Sequence, residues 1–174
     1  MTYHSALAYL DSLINYEKKT GYAYRPSFKL QRVRGFLHAL GDPQASFRSI
    51  HIAGTKGKGS TSAFTASMLR SGGYRVGLYT SPHLSTVRER IRIVSPSPCK
   101  DATPFEGMIS AAELTRLVAY LKPRVAAYSR SCRYGALSFF EVYTAMALLY
   151  FQQQHVDFAV LETGMGGRLD ATNV

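Results

Sequence analysis

At 174 residues the chain is long enough for one domain with its own core. A composition of 46% hydrophobic and 18% charged residues excludes a disordered chain, and the longest apolar run, 145–151, falls far short of the roughly 20 residues that span a bilayer. The net charge of +10 favours anionic partners such as a nucleotide, a polycarboxylate or a nucleic acid. The Lys and Arg residues are scattered, however, and a solvated basic surface accounts for most of them.

The first residues carry no basic patch followed by an apolar stretch, so no signal peptide is read. Cys99 and Cys132 lack metal-ligand spacing, and two reduced thiols in a cytoplasmic protein are expected. Tyr3, Ala6, Leu7, Leu10, Leu13 and Ile14 recur at helical spacing and predict a helix over 3–19. A loop over 21–26 follows, then a second helix over 30–40 stopped by Gly41, Asp42 and Pro43.

Residues 50–53 read as a short buried strand, and the helix over 60–70 as its successor. Between them lie Gly54, Thr55, Lys56, Gly57, Lys58, Gly59 and Ser60. A glycine-rich turn from strand to helix lets backbone N–H groups face an anion, the helix N-terminus adds positive potential, and Lys58 can reach the outer phosphates. The standard loop ends Gly-Lys-[Ser/Thr]; here Gly59 stands at the last position and Ser60 comes one residue late.

Residues 74–79 form a second strand candidate, so the unit is β-loop-α-β and predicts a parallel sheet. Thr80, Ser81, Pro82, His83 and Leu84 break that strand, and ligands of open α/β sheets sit at this edge. Residues 87–94 alternate charged and apolar side chains and predict a short exposed strand, followed by an irregular stretch over 95–104. Ser110 and Glu113 resemble a capping box for a helix over 110–121, with Pro123 expected to kink it or start another turn. A long helix over 137–154, a strand over 157–162 and a glycine-rich loop over 164–170 complete the chain.

Glu162 ends its apolar strand, where a carboxylate can meet Mg²⁺ held on phosphates; a solvent-facing acid is the ordinary alternative. Ser81 is a second candidate ligand, supplying a hydroxyl in place of the one missing at Gly59, although a turn serine is the plainer reading. Glu141, at the start of the long helix, is expected to serve the helix dipole.

Four segments, GTKGKGST, TSPHLSTVRERI, LSFFEVYTAMAL and LETGMGGRLDATNV, resemble in order and spacing the folylpolyglutamate synthase/dihydrofolate synthase family of Mur-ligase-like ATP-dependent ligases. The lead-in LxxLGDPQxxFxxIHIAG is also similar, and Gly-Lys-Gly-Ser is that family's form of the loop. The resemblance implies an α/β, P-loop NTPase-like parallel sheet flanked by helices: an N-terminal helical lead-in over 1–48 and the α/β part over 49–174. It implies an ATP- and Mg²⁺-dependent ligase joining L-glutamate to a folate or dihydropteroate through an acyl phosphate, with small-molecule partners and neither nucleic acid nor membrane. Residues 54–60 would hold ATP, with Lys58 catalytic, and Ser81 and Glu162 would ligate Mg²⁺. Pro82, His83, Arg88, Arg90, Gly166 and Arg168 would border the acceptor substrate. Such ligases are longer, so the chain is expected to be one incomplete ATP-binding domain without the C-terminal ligase domain. Another Mur-type amino-acid ligase and a non-catalytic P-loop module are the rival readings.

Overall fold

The computed structural model describes residues 1–17, 30–96 and 105–174. In chain order the elements are α1 (Tyr3–Asp11), α2 (Leu30–Ala39), a 3-10 turn (Pro43–Ser46), β1 (Arg48–Ile52), α3 (Lys58–Ser71), β2 (Val76–Tyr79), a second 3-10 turn (Val87–Arg90), β3 (Ile91–Val94), α4 (Ala111–Ser131), α5 (Phe139–Gln153) and β4 (Phe158–Glu162). The strands form one sheet in the order β1-β4-β2-β3. β4 pairs in parallel with β1 and with β2, whereas β3 is antiparallel to β2. The expected parallel sheet is therefore the core of a mixed one.

Helices cover both faces, as a parallel sheet requires. Alternation along the strands assigns the sides: Val160, Val76, Leu78 and Val94 pack with Ala66 of α3. Ala159, Leu161, Tyr79, Ile91 and Ile93 belong to the larger core built around α5. α5 is buried along nearly its whole length, because α1, α2 and α4 pack outside it. α3 is a thinner cover, and its Phe64 and Met68 remain 71% and 67% exposed. Among the described residues no helix is long and apolar enough to cross a membrane.

Several elements differ from the sequence expectation. α1 stops at Asp11, short of 19, and Ser12 closes it with backbone bonds to Ala8 and Tyr9. The carbonyl of Ile14 instead accepts the N–H of Phe139, so the segment after α1 is tied to the start of α5. Residues 18–19 of the predicted helix, the predicted loop over 21–26 and 97–104 of the predicted irregular stretch lie outside the described residues. The predicted exposed strand over 87–94 is half 3-10 turn and half strand, and it is buried: Ile91 and Arg90 are 0% and 1% exposed. α4 continues through Pro123 for two more turns. Its buried stripe of Leu114, Leu117, Val118, Leu121 and Val125 crosses the proline, so core burial outweighs the lost backbone bond.

Two ion pairs tie distant segments together, one buried and one part-buried. Arg32 of α2 meets Glu141 of α5 at 2.8–3.0 Å through Nε and Nη2, with both side chains under 10% exposed. Glu141 also closes the capping box with Ser138, so its expected role at the helix start holds and is extended by this pair. Arg90 forms the second, with Glu17.

The close approach of α5 to the sheet runs through Gly77, where an added Cβ would lie 2.6 Å from ring carbons of Phe151. Overpacking of a filled core costs about 1–3 kcal/mol. Gly77→Ala is therefore expected to destabilise the fold by about that amount in urea unfolding; an unchanged midpoint would show that the sheet and α5 are not packed as described.

Candidate functional site

The three parallel strands end on one edge of the sheet, so the turns that follow them converge there. After β1 the chain passes through 53–57 into α3, with Gly57 as N-cap at φ +73°, a left-handed conformation that favours glycine. α3 begins at Lys58, two residues earlier than predicted, so Lys58 itself stands on the first turn. Its side chain passes over Gly54, where an added Cβ would be 3.7 Å from Lys58 Cγ. Thr55, Lys56 and Ser60 are exposed on the rim of the same turn.

Glu162, the last residue of β4, stands in register with Ile52 of β1 and lies directly beneath this turn. A Cβ on Gly59 would sit 3.6 Å from both Glu162 carboxylate oxygens. The backbone N–H of Ser81, just past β2, donates to Glu162 Oε2 at 3.0 Å. Gly59, Ser81 and Glu162 are thus brought together from three separate segments. Burial pushes the Glu162 carboxyl above the usual carboxylate range, and the Ser81 N–H and the charges of Lys58 and Arg90 only partly offset it.

These residues fit a hard divalent cation. An oxygen donor whose negative charge is poorly compensated favours a cation beside it, and the Ser81 backbone and Lys58 fix its place. Among the described residues no cluster of three or more His, Cys, Asp and Glu forms a metal cage. A magnesium ion here would take the rest of its shell from phosphates and water.

The segment after Ser81 is organised by two buried charges. The Glu89 carboxylate accepts the backbone N–H groups of Leu84, Ser85 and Thr86, the latter two at 3.0 Å. Although burial pushes it up, these three donors hold the Glu89 carboxyl below the ordinary range. Arg90 donates Nη1 and Nη2 to the two oxygens of Glu17 at 2.9 and 2.7 Å and Nε to His83 Nδ1 at 2.9 Å. Its guanidinium also lies over the rings of Phe139 and Tyr143. Arg90 is therefore an internal anchor for this segment rather than a free cation facing a substrate. Arg88 is half-buried, and Pro82 is exposed after a cis peptide bond.

The glycine-rich loop over 164–170 lies beyond Glu162. Gly166 and Arg168 are exposed on it. Gly164 faces the ring of Phe140, and Asp170 is buried. Leu30, Val33, Phe140, Gly164, Leu169 and Asp170 line a partly enclosed, mainly apolar pocket between this loop, α2 and the start of α5. An apolar pocket with a few convergent polar groups is the usual form of a small-molecule site.

The sequence reading gave Glu17, Glu89, Phe140 and Asp170 no role. For Glu89 a local signal existed: Thr86 and Glu89 have capping-box spacing, and the box is formed. Glu17 and Phe140 act across distant parts of the chain and carry no local mark, whereas Asp170 bonds within its own loop, to Met165 and Thr172.

No family model matches the chain. Individual relatives do. The dihydrofolate synthase/folylpolyglutamate synthase of Bacillus subtilis is 45% identical over 146 residues, covering 83% of this chain and 31% of that protein. The crystal structure of folylpolyglutamate synthase from Thermotoga maritima superposes with a TM-score of 0.79 at 40% identity, over 98% of this chain and 35% of that one. An FPGS complex with AMPPCP and folate gives a TM-score of 0.81 at 36% identity, over 100% of this chain and 38% of that one. The chain thus spans about a third of the length of these relatives.

The nest around Glu89 carries a pH dependence of definite sign. Its folded pKa lies below the unfolded value, so its stabilisation is complete above the ordinary glutamate pKa of about 4.3 and is lost as pH falls through the lower folded value. Hydrogen-exchange protection factors of the Leu84, Ser85 and Thr86 amides are expected to fall in that acid window, and at every pH in Glu89→Ala. Protection that is the same on both sides of the window would show that the carboxylate does not hold the turn.

Proposed function

Because the chain belongs to the folylpolyglutamate synthase/dihydrofolate synthase family, we propose that it carries the nucleotide and acceptor sites of an ATP- and Mg²⁺-dependent ligase adding L-glutamate to a folate or dihydropteroate. The observation that carries this reading is the meeting of Lys58, Gly59 and Glu162 at the ends of β1 and β4. The relative bound to AMPPCP and folate supports it. A cytoplasmic site of action belongs to the same reading.

In this reading residues 54–60 cradle the ATP phosphates with backbone N–H groups at the N-terminus of α3, and Lys58 neutralises charge on the transferring group. The acceptor carboxylate oxygen bonds to the γ-phosphorus as the bond to the β-phosphate oxygen breaks, releasing ADP. The glutamate amine then attacks the acyl carbon; phosphate leaves, the amine loses a proton to solvent, and an amide remains. Ser81 and Glu162 would hold Mg²⁺, which supplies charge neutralisation at the phosphates. The pocket between Phe140 and Asp170 suits the flat ring system of the acceptor, with the 164–170 loop as its wall. Glu89 and Arg90 hold the 81–90 segment in place, and Arg90 links it to Glu17 on the pocket's wall.

The test is titration of the chain with ATP and Mg²⁺, followed by tetrahydrofolate and dihydropteroate. ATP binding without either acceptor would favour a plain P-loop module and overturn the ligase reading. A charge-assisted hydrogen bond contributes about 1.5–3 kcal/mol, so Lys58→Ala is expected to weaken ATP binding by about 10- to 100-fold with the melting temperature unchanged. Unaltered affinity would remove Lys58 from the phosphate site. Glu162→Gln is expected to weaken ATP binding in Mg²⁺ while leaving binding in EDTA within about twofold; equal losses would make Glu162 a structural acid.

A further inference from the structure

The loop over 164–170 is fastened to the phosphate loop's own strand, and the fastening runs through a residue with no role in the chemistry above. Asp170 accepts the backbone N–H of Met165 through Oδ2 at 2.7 Å, closing the loop on itself. Its Oδ1 accepts both the backbone N–H and the hydroxyl of Thr172, at 3.0 and 2.6 Å. The Thr172 oxygen lies 2.7 Å from Nε2 of His51, on β1 three residues before Gly54.

The proton order in this chain is fixed by valence. Asp170, as a carboxylate, only accepts, so the single Thr172 hydroxyl proton points to it. Thr172 Oγ1 is then an acceptor toward His51, and His51 must carry its proton on Nε2. Burial lowers the His51 pKa, with the Asp170 charge opposing, so the neutral ring is favoured into mildly acid solution. A second contact runs alongside: Gly167, at φ +134°, would place a Cβ 3.6 Å from the Cβ of Ala53, the first residue after Ile52. The loop therefore rests on the base of the phosphate turn.

We propose that His51 is a positioning residue: by donating to Thr172, and through it to Asp170, it holds the 164–170 loop in register with the phosphate loop, so that the nucleotide and acceptor sides of the cleft are set by one strand. The assignment of these sides rests on the ligase reading; the relay itself does not.

The experiment is hydrogen exchange on the unliganded chain, wild type against His51→Leu, His51→Gln, Thr172→Val and Thr172→Ser. Loss of a hydrogen bond to a charged relay corresponds to roughly tenfold in a local opening constant. His51→Leu and Thr172→Val are expected to speed exchange of the Met165 and Thr172 amides by about tenfold, while Ile50 and Thr163 in the β1–β4 ladder stay within about twofold. His51→Gln and Thr172→Ser, which keep a donor or a hydroxyl, should restore slow exchange. Unchanged Met165 exchange, or equal acceleration across the whole chain, would overturn the relay. In a ligand arm, His51→Leu should lower affinity for tetrahydrofolate more than for ATP, and an equal effect on both would overturn its role in setting the acceptor side. Failure of the wild-type chain to bind tetrahydrofolate would instead sink the ligase reading and leave the relay to be judged by exchange alone.

Discussion

The pairing of β4 on both of its edges governs what this chain can do. Among the described residues it is the one strand with parallel neighbours on each side, and its register sets Glu162 against Ile52 and Leu161 against both His51 and Tyr79. Parallel strands all end on the same edge, so the turns after β1, β2 and β4 have nowhere else to gather. Gly59, Ser81 and Glu162 are 22 and 81 residues apart in the chain and meet because the sheet is parallel, not because the segments attract one another. The antiparallel β3 lies outside this trio, which is why its addition to the expected sheet leaves the site unaffected.

Buried charge in the structure is sorted by how well it is answered. Glu141 meets Arg32, the buried Arg90 meets the more exposed Glu17, and Glu89 is wrapped by three backbone donors. Each is compensated locally and serves to hold segments together. Glu162 is different. One backbone N–H and the more distant charges of Lys58 and Arg90 do not offset its burial, so its carboxyl moves up where that of Glu89 moves down. An acid left short beside a glycine-rich turn, in a fold that answers its other buried acids, is what supports the proposed cation at Glu162.

Local chemistry was legible in the sequence, and long-range chemistry was not. The glycine-rich turn, the strand-end position of Glu162 and the cap at Glu141 follow from spacing alone, and the structure places them accordingly. Leu13 and Ile14 continue the helical period of α1, yet the chain turns before them, because the Ile14 carbonyl is needed by Phe139. Pro123 reads as a kink or the start of another turn after a helix over 110–121, yet the apolar stripe on either side of it faces the core and carries the helix through. Arg88, Arg90 and Arg92 read as one exposed row. Arg90 is instead fully buried, since its partner Glu17 lies 73 residues away and no pattern within 87–94 announces it. Asp170 stood in plain view within a glycine-rich segment, and its own bonds to Met165 and Thr172 are local, but the link onward from Thr172 to His51 reaches β1, the strand beside β4, and no spacing announces it.

The surplus of positive charge takes on a different meaning in the folded chain. Arg32, Arg70 and Arg90 are committed to acids, Arg75 to Gln154, and the Arg92 Nε to the carbonyl of Glu106. A formal +10 therefore overstates what the cleft presents to an anion. Two lysines in the phosphate turn have different surroundings. Lys56 stands in water, where its charge is screened. Lys58 is half-buried, runs over Gly54 and lies within the field of Glu162, so its charge acts through less water. The same separation that leaves Glu162 under-compensated keeps Lys58 from being neutralised by it. On the ligase reading, a transferring phosphate entering between the two would complete both: the lysine directly, and the carboxylate through the cation proposed to accompany it.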